Sequence, residues 1–428
     1  MGHRIWYKYA GSPMHSWLYI ILFIILTSFV LETVLSILNI KVLSPELPEE
    51  FSDVYNSEDY AQSQEYTKAT TFFSLIENGF TTTITILFLT DGGFNLIDIW
   101  ARSFEFTEIV TGIVYVGTLM FLSFLISLPF SIYSTFVIEN RFGFNRTTPS
   151  TFAVDILKSI FLTTVIGTPV LALLLWFFGT YGPVAWFLCW LSITIITILL
   201  QFLAPILILP LFNTFTPLEQ GSLQETIRSY AEKEKFTIQG IYTMDGSKRS
   251  TKANAFFSGF GRFRKIVFYD TLLKTLNNSE ILAVLAHEMG HFKLKHILKS
   301  TVAAILQTGI MFYILSFFLD NSDISTAFQM EHISIYASLV FFGFIYSPIN
   351  IFISLFFNAA SRRHEFEADK YALQTLNTAD TLISSLKKLS QANLSNLTPH
   401  PLYVFFYYSH PPVLTRIQAL THASHEHS

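Results

Sequence analysis

One segment of this 428-residue chain constrains its fold more than any other, because the stretch from Ser159 to Leu218 contains no charged residue. A helix that crosses a membrane needs about 20 mostly apolar residues, so this stretch is long enough for two such helices. The sequence FFGTYGPVAW (Phe177–Trp186) supplies the glycine and proline residues that favour a turn between them. We therefore expect two membrane-spanning helices joined by a short turn.

The same length criterion identifies five further spans, which gives seven in all. The composition agrees, because 51% of the residues are hydrophobic and only 14% are charged, against about 25% charged in a soluble domain. The first span carries Glu32, and the second, which is the weakest, carries Glu77. We expect a mainly α-helical, multi-pass integral membrane protein. The spans outside the uncharged stretch are predicted at Trp17–Ile40, Thr71–Thr90, Ile109–Ile138, Ser300–Leu319 and Ile333–Ser361.

Two polar segments are predicted to form the halves of one water-facing domain. Spans one to five occupy residues 1–218, the first half of the domain 219–299, spans six and seven 300–361, and the second half 362–428. An amphipathic helix is expected at Leu223–Glu234. Short strands should follow around TIQGIYTMD, ANAFFSGF and RKIVFYD, which are rich in β-branched and aromatic residues. Another helix should begin near Ser279, with Asn278 or Ser279 as its N-cap.

The helix that begins near Ser279 carries the sequence HEMGH at positions 287–291. Residues four apart lie on one face of a helix, so His287 and His291 can bind one metal ion while Glu288 reaches the water on it. This is the HExxH arrangement of two zinc ligands and a general base. Zinc lowers the pKa of its bound water to about 7 and polarises the scissile carbonyl. The pattern is short, however, and by itself leaves open a helix that merely carries histidines.

A catalytic zinc needs a third protein ligand, and the best candidate follows the seventh span in SRRHEFEADKYA. Glu365 and Asp369 are four apart, so a carboxylate ligand and a carboxylate that holds a ligand histidine could share one helix face. The alternative is an ordinary charged helix start at the membrane surface. Glu367 points elsewhere by helical spacing, and His364 and His296 are predicted to be interfacial or solvated rather than metal-binding.

With these motifs together, the sequence resembles the type I CAAX prenyl proteases. These are integral-membrane gluzincins, zinc metalloproteases that process isoprenylated C-termini and the yeast a-factor pheromone. Three more segments resemble the family in the same order, and the resemblance covers nearly the whole chain. They are ENRFGFNRTTPSTFAVDILK (Glu139–Lys158), GSKRSTKANAFFSGFG, and YSHPPVLTRIQAL near the C-terminus.

The resemblance implies one catalytic zinc ion and a defined set of metal-site residues. Glu288 would be the general base, and Asp369 would orient a ligand histidine. It also implies seven helices that enclose a large chamber, capped by a gluzincin-type domain with a small β-sheet. The zinc ligands would be His287, His291 and Glu365.

The resemblance also assigns residues to the peptide substrate. Asn254 would hydrogen-bond the substrate backbone, and His410 would steady the substrate or the tetrahedral oxyanion. Arg416 would engage either the surroundings of Glu365 or a substrate carboxylate. An edge strand near Asn254 could take an extended peptide by β-augmentation, and an imidazole at His410 could donate to developing negative charge.

The distribution of charge in the loops predicts an orientation. The acidic sixth loop, with Asp320, Asp323 and Glu331, would be external, although Arg4 and Lys8 would then also lie outside. The positive-inside rule favours a cytoplasmic catalytic domain. The short sixth loop favours a bacterial plasma-membrane homologue, with the endoplasmic reticulum as the alternative for a eukaryotic source. The basic residues on the cytoplasmic side would be Arg141, Arg146, Lys158, Lys293, Lys295, Arg362 and Arg363.

Two other functions stay open at this point. One is a quality-control protease like HtpX, although those chains are shorter and have fewer spans. The other is a transporter or channel, although Glu32 and Glu77 are the only obvious charges within the predicted spans and no repeat is visible. A net charge of −4 argues against nucleic acid as a partner. We expect a monomer in a lipid bilayer that acts on peptide or protein substrates, prenylated or membrane-tethered.

Overall fold

The computed structural model describes residues 14–258, 264–319 and 321–427. Arg4, Lys8 and Asp320, which entered the orientation argument, lie outside these ranges. Helices dominate the described part of the chain, and we number them α1 to α15. They are Met14–Lys41, Ser57–Thr90, Gly93–Arg102, Glu108–Arg141, Pro149–Thr180, Gly182–Phe212, Ser222–Lys233, Asp270–Thr275, Asn278–Lys293, His296–Leu315, Ser322–Ala327, Ile335–Leu376, Asp380–Ala392, Pro401–Tyr407 and Val413–His427.

Seven of the described helices are long and apolar enough to cross a membrane, which confirms the expected number. They are α1, α2, α4, α5, α6, α10 and α12. Single π-helical turns interrupt three of them, at Ser134–Ile138, Thr163–Gly167 and Ala204–Ile208. Such turns insert one extra residue into a helix and bend it locally.

Two of the spanning helices extend well beyond their apolar stretches. The second begins at Ser57 rather than Thr71, and its polar first turns pack against the catalytic domain through Tyr60, in a cluster with Leu397 and Ile417. The seventh continues without a break from Ile335 to Leu376. Our boundary at residue 361 therefore lies inside one helix, which carries the membrane span directly into the metal-site region.

The spans surround an open interior instead of forming a tight bundle. In the most apolar window of each spanning helix, between 0% and 17% of the residues are buried. A cavity of about 480 Å³ between the first, second and seventh spans is lined partly by polar side chains, including Ser28, Glu32 and Thr81. The amide of Asn78 donates to Glu32 Oε1 at 2.6 Å. Polar groups at membrane depth usually face water-filled space, so this interior fits the predicted chamber.

The described residues of the catalytic domain form a small mixed sheet, as predicted. Its strands are β1 (Phe215–Pro217), β2 (Gly240–Met244), β3 (Ala255–Ser258) and β4 (Lys265–Tyr269). Their spatial order is β1-β2-β4-β3, and only the β2–β4 pair is parallel. Since β1 precedes the boundary we placed at residue 218, the domain begins a few residues earlier than expected. Helices α7, α9, α12 and α13 share one buried apolar core with this sheet.

Candidate metal centre and active site

The site is built on α9, whose start is fixed by a capping box. The Asn277 side chain accepts from the Glu280 amide at 3.0 Å, and the Glu280 carboxylate accepts from the Asn277 amide at 2.9 Å. The N-cap is therefore Asn277 and not Asn278 or Ser279. The two reciprocal bonds satisfy amide groups that a helix start leaves free. The apolar residues that follow are buried, including Ala283 and Leu285, and they hold α9 in the domain core.

Gly290 lets α9 lie unusually close to α12. A β-carbon at this position would lie 3.0 Å from Ala368 Cα and 3.2 Å from Ala368 O. Ordinary contacts between carbon atoms are about 3.5–4.0 Å, so any larger residue would force the helices apart. The absent side chain at Gly290 thus brings the two metal-site helices together.

This approach gathers the three predicted metal ligands at one point. His287 Nε2 and His291 Nε2 are 3.1 Å apart. Glu365 places Oε1 at 3.2 Å from His291 Nε2 and Oε2 at 3.4 Å from His287 Nε2. His287 and Glu365 are buried, whereas the side chain of His291 is 19% exposed.

The arrangement of these donors fits a bound cation. Within the described part of the chain, the buried Glu365 Oε2 accepts no well-aligned hydrogen bond, although Arg416 Nη1 lies 3.2 Å away. Two imidazole nitrogens and a carboxylate aimed at one point are the donor set of catalytic zinc sites. Burial opposes the charged imidazole of His287, but Asp369 and Glu365 outweigh it and raise the pKa to about 9. The pocket therefore attracts positive charge.

Asp369 and Arg416 support the site from behind. Asp369 Oδ1 lies 2.8 Å from His287 Nδ1, the ring nitrogen that faces away from the convergence point. Arg416 forks onto the same carboxylate, with Nε at 2.8 Å from Oδ2 and Nη2 at 2.6 Å from Oδ1. Arg416 also lies beside Glu365, so the three side chains form one buried network. The pKa of Arg416 is raised because the Asp369 and Glu365 carboxylates outweigh the cost of burial.

Glu288 lies on the same helix, between the two histidines in sequence. Burial raises its pKa above the usual range for glutamate, and the positive charges of His287 and His291 oppose this shift. A carboxylate beside a metal site can accept a proton and then return it.

The two remaining predicted residues lie at the open side of the site. His410 Nε2 is 3.3 Å from Glu365 Oε1, and 66% of its side chain is exposed. Asn254 is exposed and directly precedes β3, where its Oδ1 accepts from the Ala255 amide at 2.8 Å. β3 pairs with β4 on one side and with no other described strand on the opposite side, so the described sheet ends here.

His296 contradicts the sequence prediction. We expected an interfacial or solvated residue, but it is only 2% exposed, and its Nδ1 lies 3.1 Å from His291 Nδ1. Glu367, which we expected to point away from the ligand set, lies outside it and is 3.0 Å from His296 Nε2. His364 is half-buried and stacks on His296 at 4.0 Å. A third histidine close to HEMGH was the one feature of the sequence that pointed to this contact. Helical spacing could not predict it, because the chain turns sharply before α10.

A second feature that sequence reasoning missed joins the region between the third and fourth spans to the segment that precedes β3. Arg249 binds Asp155 through two hydrogen bonds of 2.7 and 2.9 Å, and Lys252 lies 3.1 Å from Glu139 Oε2. The amide of Thr251 donates to the backbone of the same loop. The segments Glu139–Lys158 and Gly246–Asn254 are thus held together, and they fix the approach to β3. Opposite charges in two of the recognised motifs were the only hint in the sequence.

Two protein families match the chain along almost its whole length. The family described as the CAAX prenyl protease N-terminal region with five membrane helices matches residues 36–214. Peptidase family M48 matches residues 217–424. The two matches together include every predicted site residue.

Similar proteins cover the same extent. The CAAX prenyl protease 1 homolog of Arabidopsis thaliana is 33% identical over 92% of this chain and 94% of its own. The CAAX prenyl protease 1 of Saccharomyces cerevisiae is 31% identical over 90% of each. The crystal structure of S. mikatae Ste24p matches with a TM-score of 0.90 and 30% identity, covering 94% of this chain and 99% of that one. The chain therefore belongs to the CAAX prenyl protease 1 family, the multi-pass membrane metalloproteases of peptidase family M48.

Proposed function

We propose that the chain is a zinc endopeptidase that cleaves prenylated CAAX-type C-termini or other membrane-associated peptides. The observation that carries the proposal is the convergence of His287, His291 and Glu365 beside Glu288, at the end of a spanning helix. The names of the relatives support the substrate class. Nitrogen and carboxylate donors in this number favour zinc over magnesium or calcium, which prefer oxygen ligands only.

The residues around the metal position have distinct proposed roles. Zinc, when bound, supplies the Lewis acidity that makes a water molecule nucleophilic at neutral pH. Glu288 would accept a proton from the attacking water and return it to the leaving amine. His410, exposed beside Glu365, donates a hydrogen bond to the oxygen on which negative charge develops. Arg416 and Asp369 hold His287 and Glu365 in place, so we propose a positioning role for Arg416 and not a direct contact with substrate.

The sheet offers a place for the peptide. The free side of β3 can accept an extended segment by backbone pairing, and the Asn254 side chain at its start can hydrogen-bond the substrate backbone. The wide, partly polar interior among the spans would admit a membrane-tethered chain from the lipid side. This placement explains why the catalytic domain is joined to the spans through α12.

We further propose a cytoplasmic catalytic domain, since basic residues cluster on its side of the membrane. In intact cells, protease added from outside should then digest a C-terminal tag only after the plasma membrane has been permeabilised. Because one chain supplies all three metal donors, a monomer suffices for the site. The bacterial or endoplasmic reticulum origin of the membrane stays a prediction.

The activity can be tested with purified protein in detergent and a farnesylated CAAX peptide. Glu288→Gln should abolish cleavage while one zinc per chain remains bound, and Glu232→Gln, an exposed glutamate on α7, is the matched control that should cleave normally. Full activity of Glu288→Gln would refute the role of the base. Two further substrates test the quality-control alternative: the same peptide without its prenyl group, and an unfolded segment of a membrane protein. That alternative predicts that the unfolded segment is cleaved best.

A further inference from the structure

The outer nitrogen of each candidate histidine ligand has its own buried partner. For His287 that partner is Asp369, as described above. For His291 it is His296, whose Nδ1 lies 3.1 Å from His291 Nδ1. His296 is the first residue of α10 and is 2% exposed. Lys295, in a left-handed conformation, makes the sharp turn that brings α10 back beside α9.

The hydrogen atoms in this second contact have one consistent arrangement. If His291 binds the ion through Nε2, its Nδ1 carries hydrogen and donates to Nδ1 of His296. His296 then carries its own hydrogen on Nε2, which donates to Glu367 Oε2 at 3.0 Å. Glu367 Oε1 in turn accepts from Arg363 Nε at 2.9 Å. The two histidines thus both donate away from the metal position, and the Glu367 carboxylate ends the row by accepting from His296 and from Arg363.

We propose that His296, backed by Glu367, is the positioning residue of His291, equivalent in role to Asp369 for His287. The proposal rests on the proposed function, in that His291 is taken as a metal ligand. Partners of this kind fix the tautomer and the ring plane of a ligand histidine, and losing one typically weakens metal binding by about 10–100-fold.

The same cluster could instead be considered a second metal site, because His296, His364 and Glu367 bring their donor atoms close together. Two observations oppose this. The rings of His296 and His364 are stacked at 4.0 Å and only 9° from parallel. Because the lone pair of an imidazole nitrogen lies in its ring plane, two stacked rings cannot direct their lone pairs at one ion. Both ring nitrogens of His296 are also already engaged, by His291 and by Glu367.

The proposal is tested by metal binding, which does not depend on cleavage of any substrate. His296→Phe keeps a stacked ring but removes the acceptor, and His296→Asn restores an acceptor near the position of Nδ1. His364→Phe is the matched control, since it keeps the stack and leaves the contact between His296 and His291 untouched. For each variant, competition with a chelator gives zinc affinity, and the visible spectrum of the cobalt-substituted protein reports the geometry at the ion.

We expect His296→Phe to lose about 10–100-fold in zinc affinity and to shift the cobalt bands. His296→Asn should recover most of both, Glu367→Gln should show a smaller loss, and His364→Phe should match the unaltered protein. An unchanged affinity and spectrum in His296→Phe would overturn the proposal, as would an equal loss in His364→Phe. A second zinc equivalent that disappears in His296→Phe would also overturn it, in favour of a second metal site. If His296→Phe does not fold, Glu367→Gln decides the matter, because unchanged metal binding there contradicts the row of hydrogen bonds.

Discussion

Gly290→Ala should damage the site although it changes a single hydrogen atom to a methyl group. In an isolated helix, alanine in place of glycine is favourable by about 1 kcal/mol. Here the new β-carbon would lie 3.0 Å from Ala368 Cα and 3.2 Å from Tyr371 Cβ. Relieving these contacts requires α9 and α12 to move apart by a few tenths of an ångström.

The expected cost follows from that displacement. Overpacking of a close contact costs about 1–3 kcal/mol, so after the gain in helix propensity we expect a net loss of up to roughly 2 kcal/mol in the free energy of unfolding. The larger effect should be on the metal site, because His287 and His291 lie on one helix and Glu365 on the other. A misplacement of about 1 Å in catalytic groups can cost about 10²-fold in rate, so a shift of a few tenths of an ångström should lower kcat/KM by a smaller, measurable factor.

The assay compares thermal unfolding, zinc affinity and kcat/KM of Gly290→Ala with those of Gly117→Ala. Gly117 lies in α4, where an added β-carbon meets no described atom within 4 Å, so that variant should keep zinc affinity and activity and gain up to about 1 kcal/mol in stability. Equal stability together with full metal binding and activity in Gly290→Ala would refute the reasoning, since the helices would then tolerate separation.

Three other perturbations test separate parts of the structure. Asp369→Asn should lower zinc affinity by about 10–100-fold, as measured by chelator competition. The reason is that the amide no longer accepts two charged hydrogen bonds from Arg416. An unchanged affinity would contradict the role of Asp369 in holding His287. Removing Asp155, Arg249 or both should give a coupling energy of up to about 1 kcal/mol in a double-mutant cycle of thermal unfolding. Additive effects would show that the pair does not couple α5 to the segment before β3. Burial opposes the charged form of Glu280, but Lys388, Ser384 and the Asn277 amide outweigh it and lower the pKa of Glu280. The ionised carboxylate therefore stabilises the folded protein above the ordinary glutamate pKa of about 4.3. This stabilisation is lost as the pH falls through the pKa that Glu280 has in the folded protein. The Tm difference between the unaltered protein and Glu280→Gln should therefore shrink below about pH 4.3, and a difference that does not change with pH would contradict the charge-based account.

Several features could be predicted because they depend on local spacing. The seven spans follow from the length of apolar stretches, and the strands from β-branched and aromatic runs. The two histidines of HEMGH face one point because four residues make about one helical turn. Where the prediction failed, the cause was a contact with a distant part of the chain. The second helix extends back to Ser57 because its polar turns pack on residues near the C-terminus, and Asn277 is the N-cap because Glu280 reaches back to it.

By itself the sequence determined that this chain crosses the membrane seven times and carries a motif able to bind zinc. Both conclusions rest on interactions within one helix or with lipid, which act over a few residues. The sequence also named Glu365 as the third ligand, but only the tertiary structure placed it beside the two histidines, together with Arg416 near the C-terminus and His296 beyond a sharp turn. Their positions depend on how closely α9 and α12 pack at Gly290 and on the pairing of buried charged groups. The spacing of residues along the sequence determines neither the packing nor the pairing.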